Sequence, residues 1–263
     1  MVMEDSDLEF IDEDGIDIFD PASVEREVSI GSLLFTTIGG FGVMFLAAII
    51  LIFPIIGAGL ITINPVTFQP YISSTAMLIL SIAEIGFIIP PLHYIKKRNQ
   101  KKESLGIKNF TKPVEIGLGL LVGIIMLAAN IVVTYFLAEW TGASTSTEDQ
   151  MFMNMNLTEV ILWIIVMFTI VGFSEELLFR GFLQKRMELY FKKDYKQYKF
   201  LALVFTSFIF ALMHLDLIGL PTRFMLGMFL GYLAQERNYS IMGPIVAHGF
   251  NNAAVVVFAF LGF

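Results

Sequence analysis

Three clear apolar runs, near residues 33–56, 72–92 and 115–138, constrain this chain more than any other feature in it. Each is long enough to cross a hydrocarbon core of about 30 Å as a helix. In lipid every backbone N–H and C=O must be paired within the structure, which leaves helices or closed barrels, and apolar runs without alternation specify helices. Composition agrees, with 56% hydrophobic and 16% charged residues and a mean hydropathy of +0.73, leaving little room for a soluble enzyme. Cysteine is absent. That removes disulfides, thiolate zinc sites and thiol nucleophiles together, so any catalysis must use Glu, Asp, His or Ser.

The C-terminal half is more interrupted. There 158–183 carries charges, 199–215 ends in a His, 223–235 is short and 241–262 is long and apolar. The expected fold is therefore all-α, a polytopic membrane bundle of seven helices, or eight if a re-entrant or merged span is added. Lys96, Lys97, Arg98, Lys101, Lys102, Lys108 and Lys112 crowd the 93–114 connection, and Lys185, Arg186, Lys192, Lys193, Lys196 and Lys199 crowd 184–199. The alternate connections, 57–71 and 139–157, hold no Lys or Arg. Basic loops stay cytoplasmic, so the N-terminus is expected inside and, with seven spans, the C-terminus outside.

Residues 1–30 form a separate electrostatic object, net −10, against +3 for the remainder. They lack the basic and apolar regions of a signal peptide and read as an acidic cytoplasmic tail preceding a membrane domain over 31–263. Opposite charge suggests that this tail latches onto the basic loops. The stretch from Asp12 to Asp17 lacks the ligand spacing of a calcium loop.

Ionisable groups inside spans are costly and usually face a polar interior site. Three clusters stand out. The first, Gly172 to Phe182, embeds Glu175, Glu176 and Arg180 among apolar residues. On a helix Glu176 and Arg180 share a face at i, i+4, in the favourable order for an ion pair, leaving Glu175 about 100° away to hold a water or a metal. The bland alternative is an ion pair that only fixes helix packing. The second cluster puts His214 at the end of a span, where a lone His is more often a capping or interfacial residue. The third is His248 with Asn252 one turn on, and Gly249 between them to admit another backbone; such an Asn can merely bridge helices. His93, beside the basic loop, reads as interfacial. Taken jointly, a Glu and a His converging on one water can activate it against a carbonyl while Asn252 and Arg180 stabilise developing negative charge.

Glu175-Glu176-xxx-Arg180, then Phe210-xxx-His214, then His248-xxx-Asn252 resembles, in order and helical setting, the motif series of the CPBP family of intramembrane proteases, which includes CAAX prenyl endopeptidases and bacteriocin-processing or immunity proteins. The resemblance covers roughly 115–262. It implies that Glu175 and His214 activate the water, that His248 and Asn252 stabilise the oxyanion, and that Glu176 and Arg180 support the site. It further implies an intramembrane endopeptidase acting on a prenylated C-terminus or a leader-type peptide, in the cell membrane of a prokaryote.

The resemblance is compatible with a glutamate-type or a metallo-type protease, so no cofactor is assigned. Zinc is compatible with Glu175, His214 and His248 as three N/O ligands and an open fourth position, although HExxH spacing is absent. The expected partners are a membrane-associated protein or peptide substrate and the bilayer itself, with no nucleic acid. The Gly227-xxx-Gly231 pattern favours packing within a monomer over oligomerisation. Two other classes remain: a non-catalytic immunity or regulatory protein on the same fold, and a transporter, against which the lack of recognisable paired halves counts.

Overall fold

The computed structural model describes residues 29–262 apart from 64, 66, 67, 69, 109–111 and 143–154. The acidic tail, apart from its last two residues, and the Asp12–Asp17 stretch lie outside the described residues. Among those described, seven helical rods follow one another: α1 (Ile30–Gly57), α2 (Ser74–Lys97), α3 (Pro113–Thr141), α4 (Leu157–Lys192), α5 (Tyr198–Leu212), α6 (Leu220–Glu236) and α7 (Met242–Leu261). Five of them, α1 to α4 and α7, are long and apolar enough to cross a membrane, as a multi-pass membrane protein requires. Helices α5 and α6, of 15 and 17 residues, reach only about 22 and 26 Å at 1.5 Å per residue.

The architecture is all-α, as expected, with one short ladder in a connection: β1 (Ile61–Ile63) and β2 (Pro70–Ile72) pair antiparallel, with Thr62 opposite Tyr71. An Ile-Thr-Ile run, β-branched throughout, suits an extended ladder better than a loop.

The long rods start where their sequences direct them. At α4, the Asn156 side chain accepts from the Glu159 backbone N–H (3.1 Å), and Glu159 accepts in return from the Asn156 N–H (3.0 Å). This reciprocal cap satisfies two of the amides that a helix start leaves unpaired. Thr75 donates to the same Glu159 (2.7 Å) and the Trp163 indole donates to Ser74 (3.0 Å), which fastens the start of α2 to α4.

Helix α4 is central. Its Leu177, Leu178, Phe179, Phe182, Leu183 and Met187 form the main core with Leu33 and Phe41 of α1, Phe87 and Tyr94 of α2, Phe210 of α5 and Ile245 of α7. A second cluster joins Met126 of α3 to Leu230 and Leu233 of α6 and Ala247 of α7. Outward faces of α1 and α3 present Phe35, Phe53, Leu121 and Phe136, as lipid-facing helices do. Gly227 and Gly231 of α6 pack on α5, where an added Cβ would meet Ser207 Cβ at 3.0 Å and Leu203 Cδ1 at 2.5 Å. The small-residue pattern therefore serves packing inside the chain.

One correction concerns the basic connection at 184–199. Helix α4 continues to Lys192, and Lys185 and Arg186 are buried. Both turn inward: Lys185 donates to the Ser104 carbonyl (3.3 Å), and Arg186 donates to Gln100 Oε1 (2.7 Å). They satisfy backbone carbonyls of the turn at Lys102–Leu105 instead of lining a surface.

Candidate active site

Glu175, Glu176 and Arg180 lie in the middle of α4, where the helix departs from regular α geometry. The turns over Met167–Val171 and Leu177–Gln184 widen to i→i+5 hydrogen bonding on either side of Gly172–Glu176. Widened turns of this kind are rare and concentrate at functional sites.

Glu176 is wholly buried, and one of its oxygens does two jobs. Oε1 accepts from Arg180 Nη1 at 2.8 Å and from His248 Nδ1 at 2.8 Å. The first contact is the i, i+4 pair expected from the sequence. The second ties α4 to α7. Arg180 Nη2 also donates to the Gly227 carbonyl of α6 (3.3 Å), and the guanidinium lies over the Phe210 ring at 4.5 Å. Arg180 is thus committed to neighbours on two other helices.

Glu175 is left over, as the helical geometry anticipates. Its Oε2 is buried without a hydrogen-bond partner and lies 3.9 Å from His248 Nε2. With Nδ1–H engaged by Glu176, His248 turns Nε2 toward Glu175. Close packing makes this possible: a Cβ at Gly249 would meet Phe168 Cδ1 at 2.5 Å and Phe168 Cα at 3.0 Å, so only glycine lets α7 approach α4 here.

His214 sits just past the end of α5, and its Nδ1 pairs with the Phe210 carbonyl at 2.7 Å. A carbonyl only accepts, so Nδ1 carries the proton and Nε2 is left as an acceptor. The Phe210 ring meets His214 edge-on at 4.8 Å and His248 at 6.1 Å, so one aromatic spaces the two imidazoles. The loop after His214 is held by Asp216, which accepts from the backbone N–H groups of Ile218 (3.1 Å) and Gly219 (3.0 Å) and pairs with Arg223.

Asn252 stands one turn beyond His248, and its Oδ1 accepts from Asn251 Nδ2 at 3.1 Å. That bond leaves the Asn252 amide N–H groups to donate elsewhere. Asn251, 2% exposed and with its own Oδ1 unpartnered, was not singled out by sequence reasoning; the Asn-Asn pair was visible, but helical phase favours its second member. Glu84 on α2 was missed as well, although an acid inside the run 72–92 was the available signal. His93 is exposed on α2.

The zinc set does not come together. Among the described residues no group of three His, Asp or Glu side chains is placed to hold a metal ion. The Phe210 ring stands between His214 and His248, and the Nδ1 atoms of both are taken by protein acceptors.

No curated protein and no solved structure matches the chain. Residues 157–254 match the family model described as Type II CAAX prenyl endopeptidase Rce1-like, and because that segment holds all six motif residues, the family resemblance carried by the three motifs is shown over the part of the chain that builds the site.

Proposed function

We propose that this protein is an intramembrane endopeptidase that hydrolyses a peptide bond of a membrane-associated substrate, either a CAAX-type prenylated C-terminus or a leader-type peptide. Family likeness over 157–254 implies a protease. The observation that carries the reading is the division of labour between two adjacent carboxyls. Glu176 Oε1 is held by both Arg180 and His248, with Oε2 left unpartnered, while Glu175 Oε2 is buried, unpartnered and 3.9 Å from the His248 imidazole, beyond hydrogen-bond distance.

In this mechanism Glu175 takes one proton of a water whose oxygen attacks the scissile carbonyl carbon, while His214 Nε2 accepts a hydrogen bond from that water's other O–H. His248 donates from Nδ1 to Glu176 and, in its doubly protonated form, from Nε2 to the developing oxyanion. Asn252, oriented by Asn251, supplies a second donor. Collapse of the tetrahedral adduct breaks the C–N bond, and the departing amine takes back the proton. Glu176 and Arg180 hold His248 in place and touch no reacting atom.

All seven rods cross the bilayer in this reading, with the short α5 and α6 packed against the long α3, α4 and α7. The tail over 1–30 lies on the cytoplasmic side ahead of the membrane domain 31–263, the C-terminus lies outside, and a substrate end enters from the cytoplasmic half. The protein resides in the cell membrane of a prokaryote. The test is mass-spectrometric detection of cleavage of prenylated CAAX and leader-type peptides by the purified protein, beside Glu175→Gln and His214→Ala. Loss of cleavage in both folded variants is expected. Undiminished cleavage in either removes that residue from the chemistry, and a well-folded wild type that cleaves nothing favours the immunity or regulatory class.

A further inference from the structure

Helix α2 brings a third carboxyl to the site from outside the family-matched segment. Glu84 lies in the stretch Ser81–Ile88, where α2 tightens to i→i+3 turns and packs on the part of α4 that carries Glu175. Its Oε2 is buried with no hydrogen-bond partner, as is Glu175 Oε2, and the two carboxyls lie within electrostatic reach of each other. No Lys, Arg or His contacts Glu84 among the described residues. The charged groups that act on its neighbour Glu175 are Glu176, Arg180 and His248.

An isolated carboxyl inside a membrane bundle is expensive to maintain, and packing does not account for it. A buried water needs two to four polar partners. Glu84 Oε2 and Glu175 Oε2 are two such partners on packed stretches of α2 and α4, and His248 Nε2 lies 3.9 Å from the second. Since water is also the reagent that Glu175 is assigned to activate, the third carboxyl has a role that an apolar residue could not fill.

We infer that Glu84 is a positioning residue of this site, linked through water to Glu175 and fixing the direction in which that carboxyl meets the scissile bond. The inference rests on the protease reading and deepens it. The test compares Glu84→Leu, which keeps the bulk without polar atoms, with Glu84→Gln, which can still bond a water, by kcat and KM on a cleaved peptide and by thermal unfolding in detergent. Glu84→Leu is expected to lower kcat by up to about 100-fold at unchanged KM, the cost of misplacing a reacting group by roughly 1 Å. Glu84→Gln is expected to recover most of that loss, and neither variant to unfold at a lower temperature. A change in kcat of less than about threefold in Glu84→Leu, or a fall in unfolding temperature that parallels the loss, overturns the inference. Should the wild type cleave no peptide, the protease reading fails by itself and the unfolding arm decides: a lower temperature for Glu84→Leu overturns the unpaired carboxyl, and an equal or higher one supports it.

Discussion

Removing Arg180 tests the central claim that Glu176 is a buried anion held by two partners. Arg180 and Glu176 side chains are 2% and 0% exposed and 2.8 Å apart. In Arg180→Met the carboxylate keeps only His248, while the Gly227 carbonyl loses its donor and Phe210 its cation. Breaking one side of such a pair costs about 3–5 kcal/mol because the remaining charge stays buried, whereas replacing both partners with uncharged groups is often close to neutral. The single variant is therefore expected to lose about 3–5 kcal/mol in a reversible SDS titration. Adding Glu176→Gln, whose amide oxygen can still accept from His248 Nδ1, is expected to restore more than half of it. A loss below about 1 kcal/mol in the single variant, or a double variant no more stable than the single, would refute the reasoning, since either means that Glu176 is not a charge trapped in the bundle.

Gly249→Ala places a methyl 2.5 Å from Phe168 Cδ1 and 3.0 Å from its backbone Cα, and is expected to cost about 1–3 kcal/mol by overpacking; an unchanged SDS midpoint would show that α7 is free to shift. The Gly219 backbone N–H, then Arg223, hold the Asp216 carboxyl below the usual carboxylate range. A depressed folded value means that its stabilisation of the 214–219 loop is present above the ordinary 3.8 and is lost as pH falls through the lower folded value. Hydrogen exchange over 218–223, corrected for intrinsic rates, should therefore show protection that declines only in acid for the wild type. Asp216→Asn should show weaker and pH-independent protection; identical profiles would contradict the role of Asp216 in this loop.

Hydropathy located the rods well because a membrane span is specified by length and apolarity alone. Six of the seven helices lie within about five residues of the runs read from the sequence, the exception being α4, which continues past 183 to Lys192; the Glu176–Arg180 contact and the intramolecular packing of Gly227 and Gly231 follow from helical spacing. What escaped depends on neighbours far along the chain. Glu84 is a single acid with no companion at i±3 or i±4, so periodicity gives it no significance until α2 is placed against α4. The second contact of Glu176 Oε1, to His248, bridges 72 positions. Lys185 and Arg186 count as loop charges in a topology rule that cannot see the carbonyls of the turn at 102–105. The widening of α4 around Gly172–Glu176 has no sequence signature, since Leu, Phe and Gly serve regular helices equally well.

That one carboxylate oxygen serves both Arg180 and His248 also restricts where a substrate can come in. Parting α7 from α4 would strand a charge in hydrocarbon, so that seam behaves as a welded edge. A doorway opens more cheaply where apolar side chains meet, as the Phe41 ring of α1 meets those of Phe87 and Phe179 at centroid distances of 4.6 and 6.2 Å. Sliding such rings apart exchanges protein contacts for acyl-chain contacts at little cost. Entry would then respond to the thickness and fluidity of the surrounding lipid and would be indifferent to salt.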